Sequence, residues 1–307
     1  MSYSLQVITA SSRTRTTSDE VLGGALCQRW HEVNPRVSLR RLPWNAEDPP
    51  AADVTLLHTT FDAISYRPAV LEKIRARCKV VIGWMEIMPR EEQLRFFDRF
   101  FYYANPLPPP RNPAMIHLPP PYEPSDYPRW PKVGGRRRIL LDHSVACYPN
   151  WHSPTWDWTD EIRQAVQPLT EKGWTVGQLN RGPQDPPWVE KVEQSEVREY
   201  LRRLVEYDCF VVTHAGSFNH SAKDARIMGL QVVYPLRDNT PFVPVTVAAR
   251  LGMIQVREIE DLVEAVQQPP PSGPEVRGRC ITVRETAERM DREIRFLLQA
   301  QENKDVF

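Results

Sequence analysis

Residues 208–235 read DCFVVTHAGSFNHSAKDARIMGLQVVYP, and this stretch decides the fold. An apolar run ends at Thr213. Gly216, Ser217, Asn219, His220 and Ser221 follow, just before a helical pattern begins. Backbone N–H groups at a helix start, reinforced by the helix dipole and by hydroxyl and amide side chains, form an anion site into which a diphosphate fits. Asp224, one turn into that helix, has the length and charge to accept hydrogen bonds from ribose hydroxyls. Gly229 then ends the helix and lets the strand QVVY begin close by. Every strand-turn-helix crossover needs small residues at its turn, so Gly216 and Ser217 by themselves fit an ordinary βαβ unit equally well.

Outward from this stretch, short β-branched runs alternate with amphipathic segments, the pattern of βα repeats on a parallel sheet. In the first half, strands are expected over 5–9, 37–42, 54–58, 80–84, 100–103 and 115–118, with helices over 18–33, 67–77 and 90–98. Thr17 and Ser18 are suited to cap the first helix. The run PPPYEPSDYPRWPKVGG (119–135), dense in proline and closed by two glycines, is the strongest domain boundary. Beyond it, strands are expected over 139–142, 174–179, 209–213, 231–234 and 253–256. Helices are expected over 159–172, 195–207, 221–228, 245–251, 258–267 and 283–301, the last long enough to cross back over the first domain. The expected organisation is a first domain over 1–121, a linker over 122–135 and a second domain over 136–307 that includes the C-terminal helix.

Composition restricts the function classes. The chain has 307 residues, 41% of them hydrophobic, and a formal net charge of zero, so global electrostatics recruit neither nucleic acid nor an acidic membrane. Five scattered cysteines without CxxC spacing point to free thiols in a reducing cytoplasm. The apolar run in MSYSLQVITASS is too short for a signal peptide, and no stretch approaches the ~20 apolar residues of a membrane span. A soluble, cytoplasmic protein is expected. No HxxxH or DxD pattern is present, so no metal site is expected.

As a whole, residues 208–239 resemble the donor-binding segment of glycosyltransferases of the GT-B fold. In those families a strand leads into a His/Gly-rich turn, an acid follows in the helix, a Gly lies five residues beyond it, and a short apolar run ends in Pro. His214, Gly216, Asp224, Gly229 and Pro235 stand in those roles. After the Pro, the family often carries an Asp followed by Gln that contacts donor-sugar hydroxyls; Asp238 and Asn239 occupy the corresponding place. More weakly, AMIHLPPPYEPSDYPRWP (114–131) resembles the exit from the family's N-terminal domain. GGRRRILLDHS (134–144) resembles the first strand of its donor-binding domain. Three departures stand out. His214 and Asp224 lie further apart than in the inverting plant-type and antibiotic-type enzymes. Gly216 stands where many retaining enzymes carry a Glu, and Asp replaces the usual Glu at 224. The pattern therefore carries no assignment of retention or inversion.

The resemblance implies two Rossmann-like domains facing a cleft. It also implies hexosyl-type transfer from a nucleoside-diphosphate-sugar, such as a UDP-sugar, to an acceptor hydroxyl, with the nucleotide-sugar as co-substrate and no essential metal. In that scheme His214, Gly216, Ser217, Asn219, His220 and Ser221 surround the phosphates, Asp224 holds the ribose, and Asp238 with Asn239 holds the sugar. A diphosphate leaving group develops charge that a basic side chain stabilises. Arg181 is the first candidate, against a reading as a solvated loop residue, with Lys223 and Arg226 as alternatives. His143, at the end of the second domain's first strand, faces the same cleft. A general base belongs at the strand ends of the first domain: Glu86 in GWMEIMP is the first choice and His58 in LLHTTFD the second. Arg13 and Arg15 are acceptor-binding candidates. With the aromatic loop CYPNWHSPTWDW (147–158), which is equally suited to pack against the linker, they would suit a phosphorylated, glycan or nucleic-acid acceptor. Three alternatives remain: a nucleotide-sugar epimerase of the same fold, a phage-type DNA-modifying glycosyltransferase, and a non-catalytic nucleotide-binding protein.

Overall fold

The structure is a computed structural model. It describes the whole chain except residues 10–17, 44, 45, 47, 60–67, 86–90, 103–110, 128–134, 144–156, 180–184, 194–196, 215–219, 237–250, 269–273, 278 and 305–307. The chain divides into two compact units, Met1–Glu123 with Ile281–Phe307, and Pro124–Cys280.

In the first unit, β1 (Ser4–Thr9), β2 (Ser38–Pro43), β3 (Ala52–Thr59), β4 (Cys78–Met85), β5 (Arg99–Tyr102) and β6 (Met115–His117) form one sheet. Its order is β2-β1-β3-β4-β5-β6, and every pairing is parallel. Strands covered on both faces need apolar side chains at consecutive positions, which is why LQVI, VTLL and VVIGW read as runs. Leu56, Leu57, Val80, Val81 and Ile82 are buried without regard to alternation. The helices α1 (Ser18–Val33), α2 (Pro68–Arg77) and α3 (Glu91–Leu94) connect these strands. The helix expected over 90–98 stops early because Asp98, just before β5, is tied to β4. Its N–H donates to Val81 O (2.8 Å) and its carboxylate accepts from the Val81 N–H (2.8 Å).

The second unit repeats the plan with β7 (Arg138–Leu141), β8 (Thr175–Leu179), β9 (Val189–Val192), β10 (Cys209–Val211), β11 (Gln231–Pro235) and β12 (Ile254–Val256). Its order is β12-β11-β10-β7-β8-β9, again all parallel. The helices here are α4 (Thr159–Glu171), α5 (Val197–Leu204), α6 (His220–Ile227), α7 (Glu260–Gln267) and the short α8 (Pro274–Arg277). Ile162, Val166 and Leu169 line one face of α4 and join Ile139, Leu141, Val176 and Val211 in the core. α6 ends as expected at Gly229. The residue takes φ +91°, and the Gly229 N–H to Arg226 O and Leu230 N–H to Ala225 O bonds close the C-terminus.

The last helix, α9 (Val283–Lys304), packs against α1 and so belongs to the first unit, whereas the expected division assigned it to 136–307. Val283, Ala287, Met290, Ile294 and Leu298 form its buried stripe. Strand β9 was not anticipated, and of the helix expected over 245–251 all but Leu251 lies outside the described residues. Among the described residues no helix is long and apolar enough to cross a membrane. Cys27, Cys78, Cys209 and Cys280 are free thiols.

Each sheet reverses its strand order once. β1 lies between β2 and β3, and β7 lies between β8 and β10, so the switch points fall between β1 and β3 and between β7 and β10. Ligands of open α/β sheets bind outside the carboxyl ends of the strands at such points.

Candidate functional site

At the second unit's switch point the chain continues past β7 into Asp142 and His143, and past β10 into Thr213 and His214. The Asp142 N–H donates to Val211 O (2.9 Å), and the Thr213 hydroxyl donates to His143 O (2.9 Å), which locks the two strand exits side by side. Asp142 is fully buried between two imidazoles. Its Oδ1 accepts the His143 N–H (2.8 Å) and lies 3.9 Å from His143 Nε2, while its Oδ2 lies 3.7 Å from His214 Nδ1. Burial lowers the His143 pKa and the neighbouring His214 lowers it further, against the opposing pull of Asp142. A neutral imidazole is thereby favoured at the end of β7.

A buried polar chain supports this exit from below. Gln178, in β8, donates to Asp142 O (3.1 Å) and accepts from Arg163 Nε (2.9 Å), and Arg163 also pairs with Asp185. Arg163 therefore clamps Gln178 and Asp185, which precede and follow residues 180–184.

Beyond His214, α6 begins at His220. Asp224, one turn in, has 17% of its side chain exposed. Its Oδ1 accepts a hydrogen bond from the Tyr127 hydroxyl and lies 3.6 Å from Lys223 Nζ. Burial raises the Asp224 pKa, against the opposing effects of Lys223 and the Tyr127 hydrogen bond. The phenols of Tyr127 and Tyr200 are pushed well above their ordinary pKa by burial first and by the Asp224 charge second, so both stay neutral donors. The Tyr200 hydroxyl is buried beside Ser221. Together these groups offer one accessible carboxylate, neutral phenol and imidazole donors, and a helix N-terminus, a combination suited to polyhydroxylated, anionic ligands.

In the first unit, Thr9 and His58 are register partners across the switch point. The Thr9 hydroxyl lies 3.3 Å from His58 Nδ1, and the ring stacks on Trp84 with centroids 4.3 Å apart. Gly23 of α1 covers the pair: a Cβ there would stand 2.8 Å from Thr9 Oγ1 and 3.2 Å from His58 Nδ1. His58 is fully buried, and burial, with a lesser contribution from Arg41, lowers its pKa to about 3.

Of the residues singled out in the sequence, His143, His214, His220, Ser221 and Asp224 belong to the second unit, around the exits of β7 and β10 and on α6, and His58 lies at the first switch point. Arg13, Arg15, Glu86, Arg181, Gly216, Ser217, Asn219, Asp238 and Asn239 lie outside the described residues. Arg226, an alternative phosphate ligand, is buried and donates to Leu251 O (2.8 Å) and Leu230 O (3.3 Å), so its guanidinium is committed to the fold. Trp158, from the aromatic loop, is a core residue whose N–H donates to Thr213 O. Asp142, Tyr127 and Tyr200 escaped the sequence reading. Asp142 alone carried a signal, an acid at the end of the apolar run ILL.

No family model matches the chain, and no curated protein matches it. Among solved structures it is similar to a mutant O-GlcNAc transferase from Thermobaculum terrenum, with a TM-score of 0.59 and 13% identity over 99% of this chain and 69% of that one. It is similar also to sucrose-phosphate synthase from Thermosynechococcus elongatus, with a TM-score of 0.58 and 11% identity over 97% and 99% of the two chains. A third similar structure is the UDP-GlcNAc 2-epimerase of Methanocaldococcus jannaschii in complex with UDP-GlcNAc and UDP (TM-score 0.51, 11% identity, 96% and 100% covered). At these identities the likeness is one of fold: two α/β units, each with a six-stranded parallel sheet, as in GT-B glycosyltransferases and related UDP-sugar enzymes.

Proposed function

We propose that the protein is a glycosyltransferase that moves a sugar from a nucleoside-diphosphate-sugar to an acceptor hydroxyl. The observation that carries this reading is the pairing of Asp142-His143 with Thr213-His214 at the switch point of the second sheet, in the same unit as a helix bearing the accessible carboxylate Asp224. The fold shared with UDP-sugar enzymes supports it.

In this proposal the turn from His214 to Ser221, with Gly216, Ser217, Asn219 and His220, holds the diphosphate against the α6 N-terminus. Arg181 neutralises charge on the leaving group. Asp224 accepts from the ribose, His143 presents a neutral imidazole to the donor, and Asp238 with Asn239 holds the sugar. The acceptor oxygen bonds to the anomeric carbon as the bond from that carbon to the diphosphate oxygen breaks, and the electron pair stays on the diphosphate. The acceptor proton goes to a base. Glu86 takes that role ahead of His58, whose ring is fully buried against Trp84 and is kept from an acceptor. Arg13 and Arg15 bind the acceptor, which is a small molecule, a glycan or a nucleic acid. No metal is needed in the scheme.

Product analysis by mass spectrometry and NMR with a panel of nucleotide-sugars tests the proposal. Release of nucleoside diphosphate with sugar transferred to an added acceptor or to water supports it. A changed sugar nucleotide formed from donor alone would instead identify an epimerase. Tight nucleotide binding with no turnover would identify a non-catalytic binding protein.

A further inference from the structure

The two oxygens of the Asp224 carboxylate are not equivalent. The Tyr127 hydroxyl and Lys223 Nζ both address Oδ1, and among the described residues nothing engages Oδ2. Tyr127 is itself buried and its phenol stays protonated, so it is a fixed donor. Lys223 is 4% exposed, with its Nζ 3.6 Å from the same Oδ1. A carboxylate with both oxygens free grips a vicinal diol by accepting one hydrogen bond on each. Each oxygen has about two acceptor sites, and a carboxylate whose Oδ1 already faces both a phenol and an ammonium presents Oδ2 as its open oxygen.

We propose that Tyr127 is a specificity-determining positioning residue of the nucleotide site. By holding Oδ1 of Asp224 it leaves Oδ2 to accept one ribose hydroxyl, so that a 2′-deoxyribonucleoside diphosphate is accepted nearly as well as its ribo counterpart. This rests on the assignment of Asp224 to the ribose in the proposed function. When only one hydrogen bond is available, the remaining 3′-hydroxyl can supply it, and loss of the 2′-hydroxyl costs little. In a Tyr127→Phe protein the acceptor site on Oδ1 that the phenol held is opened while Lys223 keeps its place, the diol engages both oxygens, and the 2′-hydroxyl acquires a charge-assisted hydrogen bond.

The test is calorimetric titration of the full chain with UDP, GDP, ADP and CDP and their 2′-deoxy counterparts, for wild type and Tyr127→Phe. For the nucleotide that binds, the ratio of deoxy to ribo Kd should lie within about threefold in the wild type. It should rise roughly tenfold or more in Tyr127→Phe, the scale of a hydrogen bond to a charged group. A merely structural Tyr127 would weaken both ligands together and leave the ratio alone. Wild-type discrimination of about tenfold or more against the deoxynucleotide overturns the inference while leaving the proposed function standing, as does an unchanged ratio in Tyr127→Phe. If no nucleoside diphosphate binds, the proposed function falls and the inference falls with it.

Discussion

Asp224 and His58 show how burial sorts titratable groups. Asp224 keeps an exposed edge and is engaged by Tyr127 and Lys223, whereas His58 is sealed under Gly23 against Trp84, with no partner for its Nε2 among the described residues. The folded pKa of His58, about 3, lies below its unfolded value of 6.5. The unfolded chain therefore binds more protons between those values, and stability is lost as pH falls through 6.5 toward 3. Between pH 7 and pH 5 the loss from this residue is about 2 kcal/mol, with the lowered pKa of His143 acting in the same direction. Urea denaturation across that range should show the slope in wild type, and His58→Gln should flatten it by about that amount. An unchanged slope would mean that His58 does not stay neutral in the fold. Asp224 and His214 were legible as candidates because His214 follows a strand and Asp224 lies one turn into the next helix, where spacing alone places them. Tyr127 was not, because it lies 97 residues before its partner in a proline-rich stretch that reads as a spacer.

Among the elements, α9 shows what the local pattern conveyed and what it left out. Its apolar repeat marked a helix of the right length, but helical period says nothing of which surface the stripe meets. A buried polar knot makes that choice. Asp291 Oδ1 accepts from the Tyr3 hydroxyl (2.6 Å) and from Asn34 Nδ2 (2.9 Å), Oδ2 pairs with Arg295 (2.6 Å), and Trp30 Nε1 donates to the Tyr3 hydroxyl (3.2 Å). Asp291→Ala strands these donors in the interior and should cost about 3 kcal/mol, read as a lowered unfolding midpoint in urea. A loss within about 0.5 kcal/mol would show the knot to be incidental. Strand β9 was illegible for the opposite reason. In VEKV the inner pair, Glu190 and Lys191, is exposed at a sheet edge, and two buried valines carry no periodicity to detect.

For the whole molecule, the restarted βα rhythm after the proline-rich stretch correctly announced two parallel-sheet units. The first is closed by a segment from the far end of the chain. Residues 124–280 should therefore fold as an isolated fragment with a cooperative urea transition, whereas 1–123 should do so only when 281–307 is supplied, because α1 otherwise exposes the face that α9 covers. Circular dichroism of the fragments checks both statements, and cooperative folding of 1–123 alone would contradict the second. Binding of a sugar donor's nucleotide by the second unit is tested by a crystal structure of the full chain soaked with nucleoside diphosphates, alongside binding by Asp224→Ala. The expected result is a nucleotide with its diphosphate at the turn from His214 to Ser221 and its ribose at Asp224, and binding at least tenfold weaker in the variant. A chain that binds none of these compounds, or binds one elsewhere with Asp224→Ala equal to wild type, contradicts it.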